Sequence, residues 1–129
     1  MARLIGSVDD RGRPLVRLSG EHDDLLLTVD TGFNGDLFVS RFGAQMLGLT
    51  PTGRATAVEL GDGSTAFVEA ARITLVWLGE SRPIRVLVTN IWKPPVDDVV
   101  GLLGTGLLSP HRLVIDFTAG TVDILTGTD

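Results

Sequence analysis

An Asp-Thr-Gly triplet, Asp30-Thr31-Gly32, sits between two short apolar runs, Leu25 to Val29 and Leu37 to Val39. A carboxylate displayed where a strand stops is well placed for acid or base chemistry, because loops held by a rigid sheet commonly carry reactive groups. Gly32, Asn34 and Gly35 punctuate the stretch as a sharp turn between two strands would. Taken alone, the triplet favours a structural turn, since Asp, Gly and Asn are ordinary turn formers. A second signal lies about seventy residues on: Leu102-Leu103-Gly104 closes another apolar run and is followed by Leu107-Leu108. Between the two stands Leu60-Gly61-Asp62-Gly63-Ser64-Thr65, whose Asp-Gly pair between alternating strands is a strong hairpin signal.

Other groups capable of chemistry read as bland. His22 and His111 are far apart, lack a Glu at metal-site spacing and neighbour polar turns, so both are expected at the surface. Asp97-Asp98 lacks the regular oxygen-ligand spacing of a calcium loop. The glycines from Gly101 to Gly106 match neither a P-loop, for want of a Lys, nor a dinucleotide fingerprint. No metal or cofactor is expected.

Composition narrows the class further. The chain has 129 residues, 43% of them hydrophobic and 21% charged, enough for one cored domain spanning 1–129 but not for two. A net charge of -5 without a basic run argues against nucleic acid, whose phosphates require clustered Lys and Arg. The absence of cysteine removes disulfides and thiolate chemistry and fits a reducing compartment. Neither a signal-peptide core nor a membrane-span-length apolar run is present, so a soluble cytoplasmic chain with no membrane partner is expected.

The elements that must position these groups are mostly strands. Leu4 to Leu18 predicts two strands about a turn at Asp9 to Gly12, and Ser19 to Asp24 a second turn into Leu25. Ser40 to Leu49 predicts one short helix capped by Ser40 and ended by Gly48, with Phe42, Met46 and Leu49 sharing a face expected to be core. Ala57 to Glu69 predicts a hairpin, followed by strands Arg72 to Leu78 and Ile84 to Thr89 about a turn from Gly79 to Pro83. Ile91 to Asp98 predicts a Pro-rich loop, and Leu113 to Leu125 a closing hairpin over Thr118 to Gly120. Strands at such intervals imply a closed or sandwiched all-β domain.

In this order and spacing, LLLTVDTGFNG, LGDGST, GLLGTGLL and RLVIDF resemble the small, bacterial-type, single-domain retropepsin-like (clan AA) aspartic proteases over roughly Leu15 to Leu125. The resemblance implies an all-β acid-protease barrel with one short helix, closed as a homodimer that cleaves a peptide or protein. It makes Asp30 the catalytic carboxylate, with Thr31 and Gly32 supporting its loop. Phe33, Asn34, Gly35, Leu102 and Leu103 would line the substrate groove, and Leu60, Gly61, Asp62, Gly63, Ser64 and Thr65 would form a flap over it. Leu102-Leu103-Gly104 would cross behind the catalytic loop as its apolar floor. The chemistry has its own logic: two carboxyl groups around one water cannot both ionise, so the pair keeps one proton and presents one base and one acid, for which aspartic proteases are the standard case.

The chain supplies one Asp-Thr-Gly, so a second Asp30 from an identical chain is the simplest source of the other carboxylate. Leu4-Ile5 and Val122 to Leu125 are expected as unpaired apolar edges able to build that interface. Two departures from the viral members stand out. Asn34, Gly35 and Thr105 remove an acidic-to-arginine salt bridge, and Phe33 replaces a small residue and is expected to narrow the adjoining pocket. They keep open a rival reading, a catalytically inactive peptide-binding or dimerisation module on the same fold.

Overall fold

The computed structural model describes residues 2–50, 52, 54–59, 62–89 and 98–126. Among these residues ten strands form one sheet: β1 (Arg3–Val8), β2 (Pro14–Ser19), β3 (Asp24–Val29), β4 (Leu37–Ser40), β5 (Thr56–Glu59), β6 (Thr65–Trp77), β7 (Glu80–Thr89), β8 (Val99–Leu103), β9 (Arg112–Asp116) and β10 (Thr121–Leu125). Their spatial order is β5-β6-β7-β4-β8-β3-β2-β1-β10-β9. The strands that flank the Asp-Thr-Gly triplet, and the one that leads into Gly104, lie mid-sheet. β8 runs parallel to β3, with Val29 opposite Leu103, and antiparallel to β4, with Leu37 opposite Leu103.

Alternation decides which face is buried. Val16, Leu18, Leu25, Leu27, Val29, Leu37, Val39, Val86, Val88, Val100 and Leu103 point into one core. Leu25, Leu27, Leu37 and Leu103 are fully buried, each contributing about 1.5–3 kcal/mol relative to exposure. The apolar strands flanking the triplet are therefore among the most firmly held parts of the sheet.

Helix α1 (Arg41–Met46) begins where expected: the Ser40 hydroxyl accepts the Gly43 N–H at 3.1 Å, and Gly48 follows the end of the helix at φ +80°. Its buried face is Gly43 and Ala44, however, and Phe42, expected in the core, is 56% exposed. At six residues the helix has room for one narrow buried stripe, and the small residues take it. A second short helix, α2 (Thr105–Leu108), follows Gly104, so among the described residues there are two short helices where one was expected.

The expected strand Arg72 to Leu78 is instead the second half of β6, which pairs without interruption from Val68 opposite Thr89 to Trp77 opposite Glu80. No turn former occurs between Val68 and Arg72 to break it. The β6–β7 turn is also tighter than Gly79 to Pro83: Leu78 (φ 49°) and Gly79 (φ 84°) make a two-residue turn with both residues left-handed. The terminal strands likewise depart from expectation. Leu4 pairs with Ile124 and Ile5 with Asp123 within the same chain, and Val122 to Leu125 also pairs with β9, so the latter is no free edge, whereas β1 pairs with β2 only at Ser7 and Val8 and leaves the other side of Leu4-Ile5 open. Among the described strands, the sheet's two edges are β5 and β9.

Candidate active site

The segment from Asp30 to Asp36 leaves β3 and enters β4, and it is fastened to the segment after β8 at successive points. Asp30 N–H donates to Leu103 O (2.9 Å), Gly104 N–H to Asp36 O (3.0 Å), Thr105 N–H to Phe33 O (2.8 Å) and Gly106 N–H to Gly35 O (3.0 Å). The Thr105 hydroxyl adds a donor to Phe33 O at 3.3 Å. At about 1 kcal/mol net per hydrogen bond, this lacing outweighs a solvent-exposed salt bridge, which typically contributes under about 1 kcal/mol in total. The chain thus holds the loop without the acidic-to-arginine pair it lacks.

Close packing explains why glycines flank the loop. A Cβ on Gly104 would sit 2.6 Å from Phe33 O, 2.5 Å from Phe33 Cδ2 and nearer still to Gly35 O. A Cβ on Gly35 would meet Phe33 Cζ at 2.6 Å. The Phe33 ring lies over these two glycines and meets Phe38 edge-on, with centroids 6.0 Å apart. It is half-buried, with its ring against its own loop.

Within that frame the Asp30 carboxylate is oriented locally. Oδ1 accepts the Gly32 N–H at 2.9 Å, and Phe33 N–H closes a turn on Asp30 O at 3.2 Å. Asp30 is half-buried, Thr31 and Gly32 are exposed, and Oδ2 has no hydrogen-bond partner among the described residues. One oxygen is pinned and the other is available.

Comparison of the whole fold with solved structures identifies the architecture. A retropepsin-like aspartic protease from Rickettsia conorii superposes with a TM-score of 0.64 at 22% identity, over 95% of this chain and 98% of that one. The EIAV protease in complex with an inhibitor superposes with a TM-score of 0.54 at 20% identity, over 78% and 88% of the two chains. The fold is retropepsin-like. No family model matches the sequence, and no curated protein matches it either.

In this retropepsin-like chain, Leu103 is fully buried and Leu102 half-buried, facing Phe38 on one side and Thr28 on the other. Asn34 is exposed. At the hairpin, Asp62, Gly63, Ser64 and Thr65 are exposed; Leu60 and Gly61 lie outside the described residues. Asp62 Oδ1 accepts both the Ser64 N–H (2.9 Å) and its hydroxyl (2.5 Å), bonds that hold the Asp62 carboxyl below its usual range. A cleft of about 490 Å³ lined by Arg17, Leu26, Phe42, Met46 and Val100 opens at the start of β3, roughly 15 Å along the strand from Asp30, and is separate from the triplet.

Three side chains outside the sequence reading, Asp36, Arg82 and Trp77, support the loop from behind. Asp36 Oδ2 accepts the Arg85 N–H at 2.9 Å, tying the loop's end to β7. Arg82 donates to Gly106 O and Trp77 Nε1 to Leu107 O, each at 3.0 Å, satisfying carbonyls of the α2 turn. None of these links leaves a periodic signal in the sequence.

His111, expected at the surface, packs edge-on against Trp77 with centroids 6.1 Å apart, and its Nδ1 is buried with no partner among the described residues. Burial, with Arg82 nearby, pushes its pKa below the ordinary value of 6.5, against an opposing pull from Glu80. Between the folded value and 6.5 the unfolded chain binds more protons. Stability is therefore fully present above about pH 6.5 and lost as pH falls below it. Thermal unfolding followed from pH 7 to pH 5 should show a falling Tm, and His111→Phe, which keeps the ring contact, should flatten that fall.

Proposed function

We propose that this chain is an aspartic endopeptidase in which two Asp30 carboxylates, one from each chain of a homodimer, activate a water between them. The observation that carries this reading is the Asp30 loop itself: a single Asp-Thr-Gly, one carboxylate oxygen held by Gly32, laced to the Leu102-Leu103-Gly104 segment in a retropepsin-like fold. One carboxylate takes a proton from the water as its oxygen attacks the peptide carbonyl. The protonated partner donates to the carbonyl oxygen, and collapse transfers a proton to the leaving amine, giving a carboxylic acid and an amine. The hairpin from Leu60 to Thr65 would cover the groove, and Thr31 would meet the other chain's loop.

The reading requires self-association, which sedimentation velocity as a function of concentration measures directly. Specific activity on an unstructured protein at mildly acidic pH should fall with dilution over the same concentration range. A sedimenting monomer that retains full activity would overturn the reading.

A further inference from the structure

On the outward face of the β6–β7 ribbon, Arg72 stands directly opposite Arg85. Both are exposed, and neither forms an ion pair with a described residue. Like charges directly opposite across strands destabilise a sheet, and Cβ atoms so paired are about 5 Å apart, so both guanidinium groups can reach one acceptor. In a chain of net charge -5, two arginines placed this way stand out.

Their position ties them to the Asp30 loop. Arg85 N–H donates to Asp36 Oδ2, and the parallel pairing of β4 with β7 starts at the next residue, Leu37 opposite Val86. Alternation along β7 puts Arg85 on the same face as Leu87, which pairs with Phe38, the ring that Phe33 meets edge-on. One face thus carries Phe33 from the loop, then Phe38 and Leu87, then the two arginines one pleat further along. The Asp36 carboxylate is engaged with backbone, and Glu69 is three residues from Arg72, on the opposite side of the pleat.

We propose that Arg72 and Arg85 form a distal substrate subsite that selects an acidic side chain several residues from the scissile bond. A planar guanidinium fork matches a carboxylate in two-bond geometry, and two forks on one acceptor also remove their mutual repulsion. The proposal rests on the endopeptidase reading and names a substrate class for it: acidic, unstructured peptide segments.

The test separates the two. Labelled peptides of one sequence, with Glu or Gln scanned through successive positions, are bound to the Asp30→Asn chain and, in parallel, offered to the wild type for cleavage. At one position the Glu peptide should bind about tenfold tighter than its Gln counterpart, with the advantage shrinking as salt is raised. The same preference should enter cleavage through KM rather than kcat. Arg72→Gln and Arg85→Gln should each reduce the Glu/Gln ratio, and the double variant should bring it to unity. Equal binding of Glu and Gln peptides at every position, or no binding at all, overturns the subsite whether or not cleavage occurs. A Glu preference that survives in both variants also overturns it. Preserved, arginine-dependent Glu preference without any cleavage supports the subsite and overturns the endopeptidase reading.

Discussion

Asp30→Asn should fold as the wild type does and lose peptide hydrolysis by about ten-thousand-fold, the upper range for removing a general acid–base group. The substitution is nearly isosteric. The amide oxygen can still accept the Gly32 N–H that Asp30 Oδ1 accepts at 2.9 Å, and the Asp30 N–H bond to Leu103 O is backbone and unaffected. What would be lost is the carboxylate proposed to take a proton from water. Unchanged circular dichroism and Tm, together with absent cleavage of an unstructured protein at mildly acidic pH, would meet the expectation. Cleavage at the wild-type rate would exclude Asp30 from the chemistry.

Gly104→Ala should do the opposite and damage the scaffold while sparing the carboxylate. Its Cβ would fall 2.6 Å from Phe33 O and 2.5 Å from Phe33 Cδ2, contacts that real Cβ atoms do not make, and most of the atoms in its way are backbone. The loop and the segment after β8 would have to part, breaking bonds such as Gly104 N–H to Asp36 O and Thr105 N–H to Phe33 O. Overpacking of this kind costs about 3 kcal/mol, with a fall of roughly 10 °C in Tm for a domain this size. Thermal unfolding measures it directly. A Tm within 2–3 °C of wild type would show that the loop is not held as described, on the usual scaling of stability with Tm.

What could be seen in the sequence was whatever leaves a local mark. The short apolar runs of β3 and β4, the Asp62-Gly63 turn and the Ser40 cap each follow from the chemistry of a few neighbouring residues, and all are found. The misreadings came from competition at a distance. Phe42 is displaced from the core because Gly43 and Ala44 fit closer to Val39 and Val100. Leu78 adopts a left-handed turn that no propensity favours, because the pairing of Trp77 with Glu80 demands it. Val122 to Leu125 looked like a free edge only because nothing local shows that it pairs with both Leu4-Ile5 and β9. At the candidate site Asp30 and Leu102-Leu103-Gly104 were legible as residue types in order. Asp36, Arg82, Trp77 and His111 were not, since each acts through one long-range contact.

The central claim, that one working site needs Asp30 from two chains, is tested most directly by mixing. Wild-type chain is held at a fixed amount, increasing Asp30→Asn chain is added, subunits are allowed to exchange, and cleavage of an unstructured protein is measured. If both carboxylates are required, every mixed dimer is dead, and activity should fall in proportion to the wild-type fraction, reaching about one tenth when nine variant chains are present for each wild-type chain. Activity that stays constant while sedimentation shows mixed dimers forming would contradict the account.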